Sequence, residues 1–162
     1  MTKQSLVEPG KFCVIEGVNG AVQFQITLSL GDEYLGGDMV RIVDRERFSV
    51  AGADQLSSTY VPMNWISGVA SGGFYAFRTL KIPRQQIVIR EFTGRLRSRD
   101  MDAVANGAAL AVAKLAGQEL PPLETDGWTI DCQLGSPSSS PPAAQPIANS
   151  AFAPASQQKQ IA

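Results

Sequence analysis

The chain has 162 residues, 44% of them hydrophobic, with 14 basic and 15 acidic side chains and a formal net charge of −1. That length and apolar content predict one globular domain with its own core, and the near-neutral balance gives no general attraction to nucleic acid. Histidine is absent, which excludes an imidazole base, a Ser-His-Asp triad and every histidine-containing metal site, while two cysteines are too few for a four-thiolate metal centre.

The first ten residues read MTKQSLVEPG, and no window approaches the ~18–20 apolar residues that cross a bilayer. The expected compartment is the cytoplasm, with no membrane partner. Cys13 and Cys132 stand near opposite ends of the expected folded region, so they meet if those ends are adjacent. In the cytosol two reduced, partly buried thiols are the expectation.

Phe12 to Glu16 and Ala21 to Leu30 predict the first two strands. In the second, Gln23, Gln25, Thr27 and Ser29 alternate with Val22, Phe24, Ile26, Leu28 and Leu30, a period of two that gives one polar and one apolar face. Asn19-Gly20 between them is a turn signal, since both residues tolerate positive φ, and predicts a hairpin. Gly31 to Gly37 reads as a loop. Met39 to Val43 and Arg47 to Val50 predict two more short strands around Asp44-Arg45-Glu46. Asp32, Glu33 and Asp38 are candidate loop carboxylates for metal or acid–base work, but their spacing matches no known metal loop.

Pro62, after Ser57, Ser58 and Thr59, predicts a helix start, because proline is tolerated in the first turn. Pro62, Ile66, Val69, Gly73 and Phe77 form its apolar stripe, and Gly68, Gly72 and Gly73 lower its intrinsic propensity by ~1 kcal/mol each. Close packing on a sheet is the expected compensation. The same run, Ser67 to Gly73, lacks the lysine and hydroxyl of a phosphate-binding Walker loop and fits no dinucleotide fingerprint, so no GTP site is expected.

Gln86 to Phe92 predicts a strand with Ile87 and Ile89 on one face and Val88, Arg90 and Phe92 on the other. Thr93-Gly94 reads as a turn and Leu96 as part of a further short strand. Met101, Val104, Ala105, Ala108, Ala111, Val112 and Leu115 then trace an amphipathic helix, with Ser98 or Asp100 at its start, Asp102 in its first turn, Lys114 in its last and Gly117 just past it. Trp128 to Leu134 predicts a final strand. The last 28 residues, from Gly135, hold five prolines, six serines and one charge, a composition that predicts a disordered tail over 135–162 behind a single domain over 1–134.

Strands, a helix, a strand, a helix and a last strand predict an α+β two-layer sandwich with both helices on one face of a mixed sheet. A ferredoxin-like split βαβ is the competing arrangement. Tyr60-Val61-Pro62, Gly72-Gly73, Ile87 to Arg90, Thr93-Gly94 and Ser98 to Ala116 together resemble the fourth domain of elongation factor G, of the ribosomal protein S5 domain 2-like fold. The resemblance spans about a third of the chain and implies that fold, together with a ribosome- or RNA-contacting role. The chain departs from the family in having no basic tip between Val14 and Leu30, no histidine in the turn after the second strand and no GTPase domain. Formaldehyde-activating enzymes resemble its Val112-Ala113-Lys114 helix, but their chemistry uses a histidine.

Charge is unevenly spread. Residues 1–54 carry five basic and eight acidic groups, 78–99 seven and one, and 100–131 one and six. The basic band contains the candidate binding residues Arg90, Arg95, Arg97 and Arg99, whose planar forks suit carboxylates and phosphates. The expected function is a noncatalytic binding or assembly module that presents these arginines to an acidic protein or to a second copy of itself. RNA binding is the alternative, and a small-molecule or metal-assisted enzyme using the loop carboxylates the second. No cofactor, metal or catalytic residue is assigned.

Overall fold

In a computed structural model, the described residues are 6–7, 10–52 and 63–135. Ser57 to Pro62, where the sequence places the start of the first helix, and the expected tail from Ser136 onward lie outside them.

Strands β1 (Phe12–Asn19) and β2 (Val22–Glu33) form the expected hairpin, in register from Phe12 opposite Ser29 to Asn19 opposite Val22. Both strands run further than the sequence suggests. Asn19 belongs to β1, the turn is Gly20-Ala21 with φ +64 at Gly20, and β2 continues through Gly31 into the presumed loop. Strands β3 (Val40–Ile42) and β4 (Phe48–Gly52) flank a single 3-10 turn, Arg45–Arg47, whose entry is held by the backbone N–H of Glu46 donating to Asp44 Oδ1 at 2.9 Å.

Helix α1 (Met63–Leu80) crosses to β5 (Gln85–Leu96), and both β3 and β4 pair parallel with β5 along one edge. Helix α2 (Met101–Ala116) follows a 3-10 turn at Ser98–Asp100, and β6 (Thr129–Gly135) pairs antiparallel with β1. The six-stranded mixed sheet has the order β3-β5-β2-β1-β6, with β4 also on β5. The result is an α+β two-layer sandwich with two helices on one face. Its element order, ββββαβαβ, differs from the βαββαβ of the ferredoxin-like competitor.

Three expectations need correction. The first concerns β5, which is one continuous strand with no turn at Thr93-Gly94. Gly94 sits in extended pairing at φ +153, where a Cβ would strike Gln23 O and Phe24 Cα of β2, so glycine there serves close strand approach. The second concerns the faces of β5. Ile89 pairs with Leu28 and Glu91 with Thr27, which leaves Arg90 as the extra residue of a bulge. Beyond it the alternation is reset, so Phe92 joins Ile87 and Ile89 in the core instead of opposing them.

The third concerns the helix glycines. The sequence assigns them to the sheet, but Gly68 and Gly72 lie against α2: a Cβ at Gly72 would overlap the backbone carbonyl of Ala105, and one at Gly68 would press on Met101. Only Gly73 approaches the sheet, at Ile87. The glycines thus let two helices touch backbone to backbone, which also recovers part of their propensity cost through packing. α2 ends as predicted, with Gly117 in the left-handed region and its N–H donating to Ala113 and Lys114 carbonyls. The core between the layers gathers Phe24, Ile26, Leu28, Val69, Phe77, Ile87, Ile89, Phe92, Val104 and Val112, all essentially solvent-free.

Candidate functional site

Because the helices cover one face of the sheet, the other is assembled from the alternate residues of each strand. Register places Phe12, Val14 and Glu16 of β1, Gln23 to Ser29 of β2 at odd positions, and Val88, Glu91, Thr93 and Arg95 of β5 on that helix-free face. Arg41 of β3 joins them opposite Val88, and Asp131 of β6 opposite Glu16. The polar stripe of β2 is therefore where the sequence puts it. It is nevertheless shielded, with Gln25, Thr27 and Ser29 each no more than 5% exposed.

The four candidate arginines do not share one surface element. Arg90, the bulge residue, leans over β2 and its Nε donates to Ser29 Oγ at 3.2 Å, which puts it on the helix-free face with Arg95. Arg97 lies past the end of β5, where its guanidinium grips Asp100. Arg99 lines a cleft of about 200 Å³ at the start of α2, among Asp100, Asp102, Glu124 and Asp126. Carboxylates surround Arg97 and Arg99, whereas Arg90 and Arg95 stand with other arginines.

Those others are Arg41 and Arg47, which sequence reasoning passed over. Arg47 reaches Glu91 at 3.5 Å across the β4–β5 margin. Arg41 is flanked by Val40 and Ile42, which pack on the core, and that apolar-charged-apolar triplet was the available signal that its side chain points to the helix-free face. The face is thus polarised. Arg41, Arg90 and Arg95, with Arg47 paired to Glu91, occupy the β3–β5 margin, Glu16 and Asp131 the β1–β6 margin, and uncharged Phe12, Val14, Thr27 and Ser29 the middle.

Two polar atoms on this face, Thr27 Oγ1 and Glu91 Oε1, are buried and lack a hydrogen-bond partner among the described residues, and they belong to directly opposed residues. A buried unpaired acceptor costs ~1–3 kcal/mol, so among the described residues this opposed pair is a local cost within the face. Asp32, Glu33 and Asp38 are exposed, and among the described residues no three acidic or thiol side chains gather as a metal set. Asp38 instead borders an apolar cleft of about 390 Å³ between β3 and α1, lined by Met39, Val40, Ile66, Ala70 and Phe74. No helix among the described residues is long and apolar enough to cross a membrane. The chain matches no family model, and no curated protein or solved structure is significantly similar to it.

Proposed function

We propose that this chain is a binding and assembly module whose helix-free sheet face docks a second copy of itself. The observation that carries the reading is the polarity of that face, with four arginines against the single Glu91 on one margin and Glu16 with Asp131 on the other. A two-fold axis lying in the interface along the strand direction sets each basic margin over the partner's acidic one. The contact is then isologous and sheet-on-sheet, a common way for two sheets to pack.

A phosphate backbone suits this face less well. Glu16 and Asp131 repel it, and among the described residues the face offers Phe12 alone for base stacking, where that residue is 4% exposed. The order of hairpin, two short edge strands, helix, interior strand, helix and a last edge strand supports a two-layer α+β sandwich, within which we keep the ribosomal protein S5 domain 2-like reading as a proposal. The RNA role associated with that resemblance is kept as an outcome of the test.

Sedimentation equilibrium of the full chain at low and physiological salt decides the matter. The expected result is a dimer that weakens as salt rises, since margin charges are screened over ~8–10 Å. Arg41→Glu with Arg95→Glu should yield monomers, and adding Glu16→Lys with Asp131→Lys to the same chain should restore the dimer. A chain that stays monomeric at every concentration, or a dimer indifferent to the reversals, overturns the proposal. A monomer that binds single-stranded RNA with steep salt dependence replaces it with the nucleic-acid reading.

A further inference from the structure

Away from that face, the two cysteines meet as the sequence allowed. Cys13 of β1 pairs with Leu134 and Ile15 with Cys132 of β6, so both thiols lie on the helix-covered face as diagonal cross-strand neighbours. Neither is in a disulfide. Cys13 is solvent-free, whereas Cys132 is half-buried and opens into a cleft of about 380 Å³ lined by Lys114, Gln118, Glu119, Ile130 and Asp131.

The two thiols are chemically unequal. Hydrogen bonding from the adjacent Cys13 thiol, which otherwise has the Val14 carbonyl 4.0 Å away, favours the Cys132 thiolate, and the Lys114 ammonium adds to this, so Cys132 is held below the usual thiol range against opposition from burial and from Asp131. Cys13 is pushed well up, first by donating that hydrogen bond and then by burial and the Cys132 charge, with Lys114 and the backbone N–H of Gln133 pulling the other way. The charged groups around the pair are Lys114 of α2, Asp131 of β6 and Glu119 of the segment after α2.

We propose that Cys132 and Cys13 form a redox-active dithiol that is oxidised by a low-molecular-weight disulfide entering the cleft beside Lys114. In the first step the Cys132 thiolate attacks one sulfur of the small disulfide. A bond forms between Cys132 Sγ and that sulfur, the original S–S bond breaks, and the departing thiolate takes its electron pair and a proton from water. In the second step Cys13 gives its proton to water and attacks Cys132 Sγ, releasing the second small thiol. Two cysteine thiols are oxidised to one disulfide, and one small disulfide is reduced to two thiols.

The first step prepares the second. Once Cys132 is in a mixed disulfide its negative charge is gone, and with it both the hydrogen bond and the repulsion that kept Cys13 protonated. Lys114 and the Gln133 N–H then favour the Cys13 thiolate. Closing the bond takes a small movement, since diagonal neighbours lie ~7–8 Å apart at Cα, just beyond the usual disulfide span. β6 can supply it, being an edge strand paired with β1 alone. A bond closed under such strain is easily reduced again, as a reversible dithiol requires.

The reduced full-length chain is treated with glutathione disulfide under native conditions, alkylated and mapped by mass spectrometry. Wild type should lose both free thiols, retain no glutathione and yield a linked Cys13–Cys132 peptide. Cys13→Ala should stop with one glutathione on Cys132, Cys132→Ala should stay unmodified until unfolded, and Lys114→Gln should move the pH profile of Cys132 modification upward. Should Cys13→Ala fail to fold, the wild-type peptide map alone decides. Wild type that remains reduced while native, or that ends as a stable glutathione adduct, overturns the proposal.

Discussion

The guanidinium of Arg97 closes on the buried carboxylate of Asp100, Nε to Oδ2 at 3.0 Å and Nη2 to Oδ1 at 2.9 Å, while the Arg97 backbone N–H donates to Oδ2 at 2.7 Å. One carboxylate thus ties the end of β5 to the turn that starts α2. In the sequence, Arg95, Arg97 and Arg99 look interchangeable, and substituting all three with glutamine would be expected to leave folding nearly intact. The ion pair separates them. Breaking a fully buried pair costs ~3–5 kcal/mol; with the Arg97 side chain 29% exposed and that of Asp100 4%, Arg97→Gln should cost ~2–3 kcal/mol. Urea unfolding should show that loss for Arg97→Gln and less than ~0.5 kcal/mol for Arg95→Gln or Arg99→Gln. Equal effects at all three positions would remove the structural role given to Arg97.

Gly72 meets α2 at the carbonyl of Ala105, where there is no room for a methyl group. The obstacle is backbone, so a side-chain rotation cannot relieve it and the helices must separate. Gly72→Ala should therefore lower stability by at least ~1–3 kcal/mol, although alanine is the better helix former by ~1 kcal/mol. Ser71→Ala, next to it on the exposed side of α1, supplies the control and should be neutral or slightly stabilising. A Gly72→Ala protein as stable as wild type would mean that the helices do not touch there.

What the sequence carried and what it hid follow from the range of the forces involved. The hairpin, α2 with its Gly117 cap and the two faces of β2 are legible because period and turn chemistry are local. Arg90 gives no local sign of being a bulge residue, since that depends on its pairing with Thr27 and Leu28, some sixty positions away. Local alternation therefore puts Phe92 on the wrong face and makes Gly94 resemble a turn residue, although its reason for being glycine is the approach of Gln23 from another strand. Charge density singles out Arg90, Arg95, Arg97 and Arg99 alike, and only the strand register shows that, unlike Arg97 and Arg99, Arg90 and Arg95 share a face. Arg41, Arg47, Glu16 and Asp131 join or oppose them only through strand order, which periodicity does not encode.

Deleting Arg90 from the middle of β5 should be tolerated. With it gone, Ile89, Glu91 and Phe92 alternate in regular fashion and the same side chains enter the core. The other neighbour of β5 is interrupted at this point, since β3 ends at Ile42 opposite Ile89 and β4 resumes at Phe48 opposite Phe92. The 3-10 turn between them gives slack to absorb the change. Deleting Thr93 has the opposite effect, because it turns Phe92 or Leu96 out of the core, where burying an aromatic ring is worth ~3–5 kcal/mol. The Arg90 deletion should retain a cooperative unfolding transition and the Thr93 deletion should lose it; the reverse pattern would place the extra residue elsewhere.

The cysteine pair gives stability a pH signature whose sign can be worked out from the two opposite shifts. Cys132 is held below its ordinary value, so its contribution is present above the unfolded thiol pKa of ~8.5 and is lost as pH falls through the lowered value. Cys13 is raised, so its contribution is present below that same unfolded pKa and is lost as pH climbs toward its raised value. The two contributions overlap most near the unfolded thiol pKa, between a rising limb from Cys132 and a falling limb from Cys13. Under reducing conditions, the stability difference between wild type and Cys13→Ala/Cys132→Ala should pass through a maximum near pH ~8.5. Cys132→Ala alone removes both the rising limb and the charge that drives much of the Cys13 shift, so it should flatten the falling limb as well. A difference curve that is flat from neutral to alkaline pH, measured by urea unfolding, would show that the thiols do not interact in the folded protein.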